Sequence, residues 1–208
     1  MSRVMQERAV RTREVLLRAA AEVFDEVGYP GASITKIIDR AGVTTGAVYF
    51  HFRSKEGLAR AVIREQAADL DFPEGEAGLQ RLLDLTLYLA ERLQHDTLLR
   101  AGVRLAVEQS EAGLQEYSIY EWWADRFAQE LAAARDRGEL LPEADATVFA
   151  TTLVAAFTGS QIMSRLASGR ADLPQRITNV WRCLLPGLAP ADVIAGLEFT
   201  DGGGKGAR

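Results

Sequence analysis

Apolar side chains return at intervals of three and four almost throughout this chain, and no stretch alternates convincingly with a period of two. That is the spacing of helices with one buried face, and it excludes a sheet-based fold. In the first segment Leu16, Ala19, Ala20, Val23, Phe24 and Val27 form such a stripe. Gly28 then stops the helix, and Tyr29-Pro30-Gly31 predicts a turn. Ser33 is a good N-cap for a short helix from Ile34, with Ile34, Ile37, Ile38 and Ala41 inward and Gly42 at its end. Thr44 is placed to cap a second short helix through about His51, and Ser54 a fourth helix from Lys55 into about Leu70.

Beyond a joint at Phe72-Pro73-Glu74-Gly75, longer helices are expected over about 77–94, 97–110, 117–137, 143–168 and 173–185, with a short one after Pro190. The 77–94 segment is apolar on most of its circumference and should be central. The chain therefore reads as all-α. A three-helix helix-turn-helix domain over 1–54 is joined by helix four to a helical bundle within 55–200, and the glycine-rich tail 201–208 is expected to be flexible.

With 48% hydrophobic residues in 208, the bulk of the chain can bury a core and is not disordered. No run of about 18 uncharged apolar residues is evident, so no membrane partner is expected. The charged start, MSRVMQERAVRTR, lacks the apolar stretch of a signal peptide. A single cysteine, Cys183, cannot form an internal disulfide, which points to an intracellular, cytoplasmic protein; it is expected to be a buried apolar residue. Two histidines leave little for a metal site. Residues 1–66 carry a net +3 and the remainder −8, a basic head on an acidic body. No HExxH, CxxC or strand-flanked GxGxxG occurs; Gly202-Gly203-Gly204-Lys205 is not a P-loop, and Ser160 has no nucleophile-elbow context. No catalytic residue, metal or cofactor is expected.

The two short helices have the logic of a helix-turn-helix. Gly42 permits the sharp turn, Val43 can plug the gap, and Ala41 and Ala47 are small where backbones approach. The second helix would offer Thr44, Thr45, Gly46, Tyr49 and His51 outward, with Phe50 and Phe52 packed in the core. Hydroxyls and N–H groups at a helix start suit phosphates and base edges, and Lys55 could donate to a phosphate as well. The stretch GYPGASITKIIDRAGVTTGAVYFHFRSKEGL, residues 28–58, resembles the DNA-binding signature of the TetR family of repressors. That resemblance implies a homodimeric transcriptional repressor whose N-terminal helices bind operator DNA. Its C-terminal bundle would bind a small effector and dimerise. The DNA-contacting candidates carried over are Ser33, Thr44, Thr45, Gly46, Tyr49, His51 and Lys55. Many members have lysine where this chain has Thr45, so a phosphate-seeking charge is replaced here by a short hydroxyl, for which Arg11 and Arg53 are candidate compensators.

In the C-terminal body, RAGVRLA at 100–106, Trp123, GELLP at 138–142 and FTGSQ at 157–161 resemble the γ-butyrolactone autoregulator receptors of filamentous actinobacteria. The implied effector is a small lipophilic butyrolactone or butenolide, in a pocket to which Gln66, Trp123 and Thr158 contribute. Leu105, Phe127, Val154, Phe157 and Ile162 are candidate lining residues. An aromatic stripe at helical spacing is equally what a plain core shows. A multidrug-type repressor or a pseudo-receptor answering to antibiotics is the alternative. Val148, Thr152, Ala155, Gly159 and Met163 form a small-residue face for dimerisation, which Trp181 and Leu184 could cap.

Overall fold

The computed structural model describes residues 3–68, 70–112 and 118–199. They fold into helices, with no strand among the described residues. The expected flexible tail at 201–208 lies outside them. The helices are α1 (Arg3–Gly31), α2 (Ile34–Ala41), α3 (Thr45–His51), α4 (Lys55–Glu65), α5 (Leu79–His95), α6 (Thr97–Ala112), α7 (Ser118–Asp136), α8 (Ala146–Ser168), α9 (Leu173–Leu184) and α10 (Ala191–Gly196). The described residues form two compact units, one from within 1–70 and 96–119, the other from within 71–95 and 120–199.

The first unit contains α1–α4 and α6. Leu16, Ala20, Phe24, Ile37, Val48, Leu58, Ile63 and Leu105 share its core. The unit extends past residue 54, where the sequence suggested a division, because α4 turns Leu58, Ala59, Val62 and Ile63 into that core. Gly28 breaks α1 with φ 70°, and one further helical turn follows. That φ favours glycine, and a Cβ there would stand 2.6 Å from the Arg104 guanidinium, which would have to shift. Arg104 donates to the Asp25 carbonyl at 2.7 Å and to Glu108 at 2.7 Å. Glu108 accepts the Tyr29 N–H at 3.0 Å, and Arg100 pairs with Asp25 at 2.7 Å. Side chains of α6 thus satisfy backbone groups that the break would leave open. Helix α4 ends at Glu65 rather than near Leu70, and the Gln66 amide folds back to donate to the Ile63 carbonyl at 2.9 Å.

The second unit is built on α5, which buries Leu79, Leu82, Leu83, Leu85, Leu87, Leu89 and Leu93, the central role its sequence suggested. The indole of Trp181 is fully buried, donates to the Thr86 hydroxyl at 2.7 Å and lies 5.9 Å from the Phe149 ring. Trp181 therefore does not cap a dimer face, as its place on α9 had suggested; its N–H needs Thr86, and this points the ring inward. Glu130, 2% exposed, accepts from the Gly78 N–H at 3.1 Å and from Arg126 at 2.8 Å. Helix α8 begins at Ala146, later than the expected 143, where the Asp145 carboxylate accepts the Thr147 and Val148 N–H groups. Cys183 is exposed, not buried: it sits on α9 two residues past the inward Trp181.

Helix α8 is long and apolar enough to cross a membrane by length and composition alone, so the expectation that no segment meets that description does not hold. Its pattern is nonetheless two-sided. Ala150, Leu153, Val154, Gln161 and Ser164 are buried, while Val148, Thr152, Ala155, Gly159, Met163 and Leu166 form an exposed stripe at intervals of three and four.

Candidate functional site

The turn between α2 and α3 is built as its residues suggest. The Ser33 hydroxyl accepts the Lys36 N–H at 3.2 Å, and Gly42 ends α2 in the left-handed region at φ 63°. Ala41, Val43 and Ala47 pack against the core, and Val48 fixes α3 to it. Thr44 occupies the N-cap position of α3 but its hydroxyl makes no capping bond. That hydroxyl is therefore available to an outside acceptor.

With Val48 inward, Thr45, Gly46, Tyr49 and Phe50 are exposed. Phe50 is 75% exposed, which corrects its assignment to the core; only Phe52, 7% exposed, packs there. The misplaced residue is explained by phase, because Phe50 lies two positions from Val48 and falls on the far side of so short a helix. Tyr49 is exposed at 54%. His51 is half-buried, edge-on to the exposed Phe50 with ring centres 4.9 Å apart.

Lys55 does not stand free. Its ammonium donates to the carbonyls of Tyr29 at 2.9 Å and Ala32 at 3.0 Å. Other cations of this unit are also held. Arg40 is clamped by Glu26 at 2.8 Å and Glu22 at 3.1 Å, which raises its pKa, chiefly through the Glu26 hydrogen bond. Arg13 pairs with Glu65, and Lys36 donates to the Gly31 carbonyl at 2.9 Å.

The effector candidates fall in both units. Gln66 is 2% exposed in the first; its carbonyl oxygen has no hydrogen-bond partner among the described residues, and its Cβ is 2.5 Å from where a Cβ of Gly102 would be. Leu105 is fully buried in that unit's core. In the second unit Trp123 is half-buried in an aromatic cluster. Trp122 lies edge-on at 4.7 Å, Phe72 edge-on at 6.3 Å, and Phe127 tilted at 6.0 Å. Phe72 is held in turn by Arg126, whose guanidinium carbon is 5.5 Å from the ring centre. The sequence reading missed Phe72, because it stands in an irregular stretch where periodicity is silent. Val154 is buried on α8, and Phe157, Thr158 and Ile162 are half-buried.

Comparison with known proteins adds to this geometry. The family described as "Bacterial regulatory proteins, tetR family" matches residues 16–62, and "Tetracyclin repressor-like, C-terminal domain" matches residues 76–190. The A-factor receptor protein of Streptomyces griseus is 42% identical over 195 residues, covering 93% of this chain and 69% of the relative. The crystal structure of TylP, a TetR regulator from Streptomyces fradiae, has a TM-score of 0.83 at 42% identity and covers 93% of each chain. A γ-butyrolactone receptor described as ArpA-like has a TM-score of 0.65 at 30% identity, covering 90% of this chain and 92% of that one.

Proposed function

This chain belongs to the TetR family of bacterial regulatory proteins, and on that premise we propose that it is a repressor released from its operator by a γ-butyrolactone or butenolide signal. The observation that carries this reading is the 42% identity to the A-factor receptor protein across 93% of the chain, head and body together. Each protomer presents Thr45, Gly46, Tyr49 and Phe50 to the major groove, with the Ser33 and Thr44 hydroxyls toward the flanking phosphates.

The active form is a homodimer. The exposed stripe Val148, Thr152, Ala155, Gly159, Met163 and Leu166 of α8 packs against a second copy, which removes from water an apolar face too long to leave open. The effector binds beside Trp123, where a flat apolar wall and an indole N–H suit an alkyl tail and a lactone oxygen. The protein acts in the cytoplasm, on the nucleoid, and controls secondary metabolism. A gel shift with palindromic duplexes from the promoters beside its own gene tests the reading, with and without added γ-butyrolactone. Binding that the lactone reverses is expected. Binding that it leaves untouched, but that an antibiotic reverses, sinks the hormone reading in favour of a multidrug-type repressor.

A further inference from the structure

Arg53 stands in a backbone conformation that glycine ordinarily takes. Its φ is 68°, in the left-handed region. The chain places glycine at the comparable ends of α2 and α8, Gly42 at 63° and Gly169 at 62°. The conformation is imposed by the turn from α3 to α4. The Val48 carbonyl accepts both the Phe52 N–H at 2.8 Å and the Arg53 N–H at 3.2 Å, and the Ser54 N–H returns to the Phe52 carbonyl at 2.8 Å. Gly57 closes so tightly on this turn that a Cβ there would stand 1.9 Å from the Phe52 oxygen. A residue with a Cβ is an unfavourable occupant of such a position, here as at Arg170 with φ 78°, and the strain at Arg53 points to a role of its side chain.

That side chain is exposed and makes no hydrogen bond or ion pair among the described residues. It follows Tyr49 by four positions and lies directly beyond a reading helix that contains no lysine or arginine. Lys55, Arg40, Arg13 and Lys36 are each engaged within the protein. We propose that Arg53 is a principal phosphate clamp of the DNA-reading surface, kept at a left-handed turn residue so that its guanidinium reaches the backbone beside the groove that α3 enters. It supplies the charge that Thr45 does not. This rests on the repressor reading above.

The clamp predicts opposite signs for folding and binding in one variant. In Arg53→Gly the backbone stress is relieved and the charge is lost. Its melting temperature is expected to equal or exceed that of the wild type. Its affinity for duplexes that the wild type selects from a random pool is expected to fall at least several-fold. The slope of log K against log salt should shrink by about 0.9 per protomer, the value for one phosphate neutralised. Arg53→Lys keeps the charge and should keep the slope. A wild type that binds, with Arg53→Gly binding equally well and with the same slope, overturns the clamp alone. A lower melting temperature with an unchanged slope also overturns it, by showing a structural role. A wild type that selects no duplex overturns the repressor reading, and the clamp with it.

Discussion

The ammonium of Lys55 lies 4.1 Å from the centre of the Tyr29 ring and donates to the Tyr29 carbonyl at 2.9 Å. It joins the start of α4 to the end of α1, where carbonyls have lost their helical partners. Burial, then Glu56, raises the pKa of the Tyr29 phenol. Tyr29 therefore stays neutral beside Lys55 at ordinary pH.

Lys55→Met should accordingly act first on folding. Charged hydrogen bonds contribute about 1.5–3 kcal/mol, so the loss is expected within that range. The denaturation midpoint should fall with its slope unchanged. If stability holds and only the salt dependence of DNA binding weakens, the ammonium works on phosphate instead, as the sequence first suggested.

Phe50 and Tyr49 project from a helix of two turns. A phenyl ring 75% exposed contributes little to the fold, so Phe50→Ala should leave the melting temperature within about a degree or two of the wild type. An apolar ring in a major groove meets thymine methyl groups. The variant should bind the selected duplex several-fold more weakly. Deoxyuridine in place of thymine should remove most of that difference. Equal losses on both duplexes would show that Phe50 does not read methyl groups.

Much of the head was legible because its constraints are local. Ser33, Gly42 and Ser54 act within three or four residues of themselves, and each does what its type and position suggest. Phe50 was not legible, because seven residues give too little periodicity to fix phase, and a neighbouring aromatic, Phe52, does pack inside. The bonds that Lys55 makes within the head were hidden for a different reason. Its partners, Tyr29 and Ala32, are more than twenty positions away, and only the assembled head brings them together. The likeness in the C-terminal body was read from short motifs, but spacing said nothing of the Trp123 surroundings, since Phe72 comes from a segment without a period.

Gly159 offers a clean test of self-association. Nothing lies within 4 Å of the position its Cβ would take, so a side chain is tolerated by the protomer. Gly159→Arg should melt as a folded helical protein yet sediment as a monomer, because the new side chain stands in the middle of the exposed α8 stripe. Operator affinity should drop with it, since a dimer places two reading helices on successive half-sites. A stable dimer of this variant moves the interface off α8.

The turn from α8 to α9 depends on Asp172, which accepts from the Ser164 and Ser168 hydroxyls and pairs with Arg176 at 2.7 Å. Those bonds, the serine hydroxyls foremost, hold its pKa down to about 2. A lowered folded-state value gives stability that is present above the unfolded pKa of about 3.9 and is lost as pH falls through about 2. Asp172→Asn should thus melt earlier than the wild type near neutral pH, and the gap should close between about pH 4 and pH 2. A gap that persists in acid would mean that the substitution disturbs the turn by shape and not by charge.

Two buried or half-buried indoles separate scaffold from candidate site. Trp181 spends its N–H on Thr86 at 2.7 Å and is fully enclosed. Trp123 is half-buried, and its N–H has no partner among the described residues. Its ring meets Phe72 and Trp122 edge-on. Trp123→Ala should therefore keep wild-type DNA affinity and salt dependence, because Trp123 belongs to the second unit and α3 to the first. It should raise the γ-butyrolactone concentration that releases DNA at least tenfold, a loss of about 1.4 kcal/mol, well within what one buried aromatic contributes. Trp123→Phe keeps most of the apolar wall but not the donor, and should fall between the two. Release of Trp123→Ala at the wild-type concentration would remove this tryptophan from the effector site. Loss of DNA binding by both variants would instead mark it as part of the scaffold.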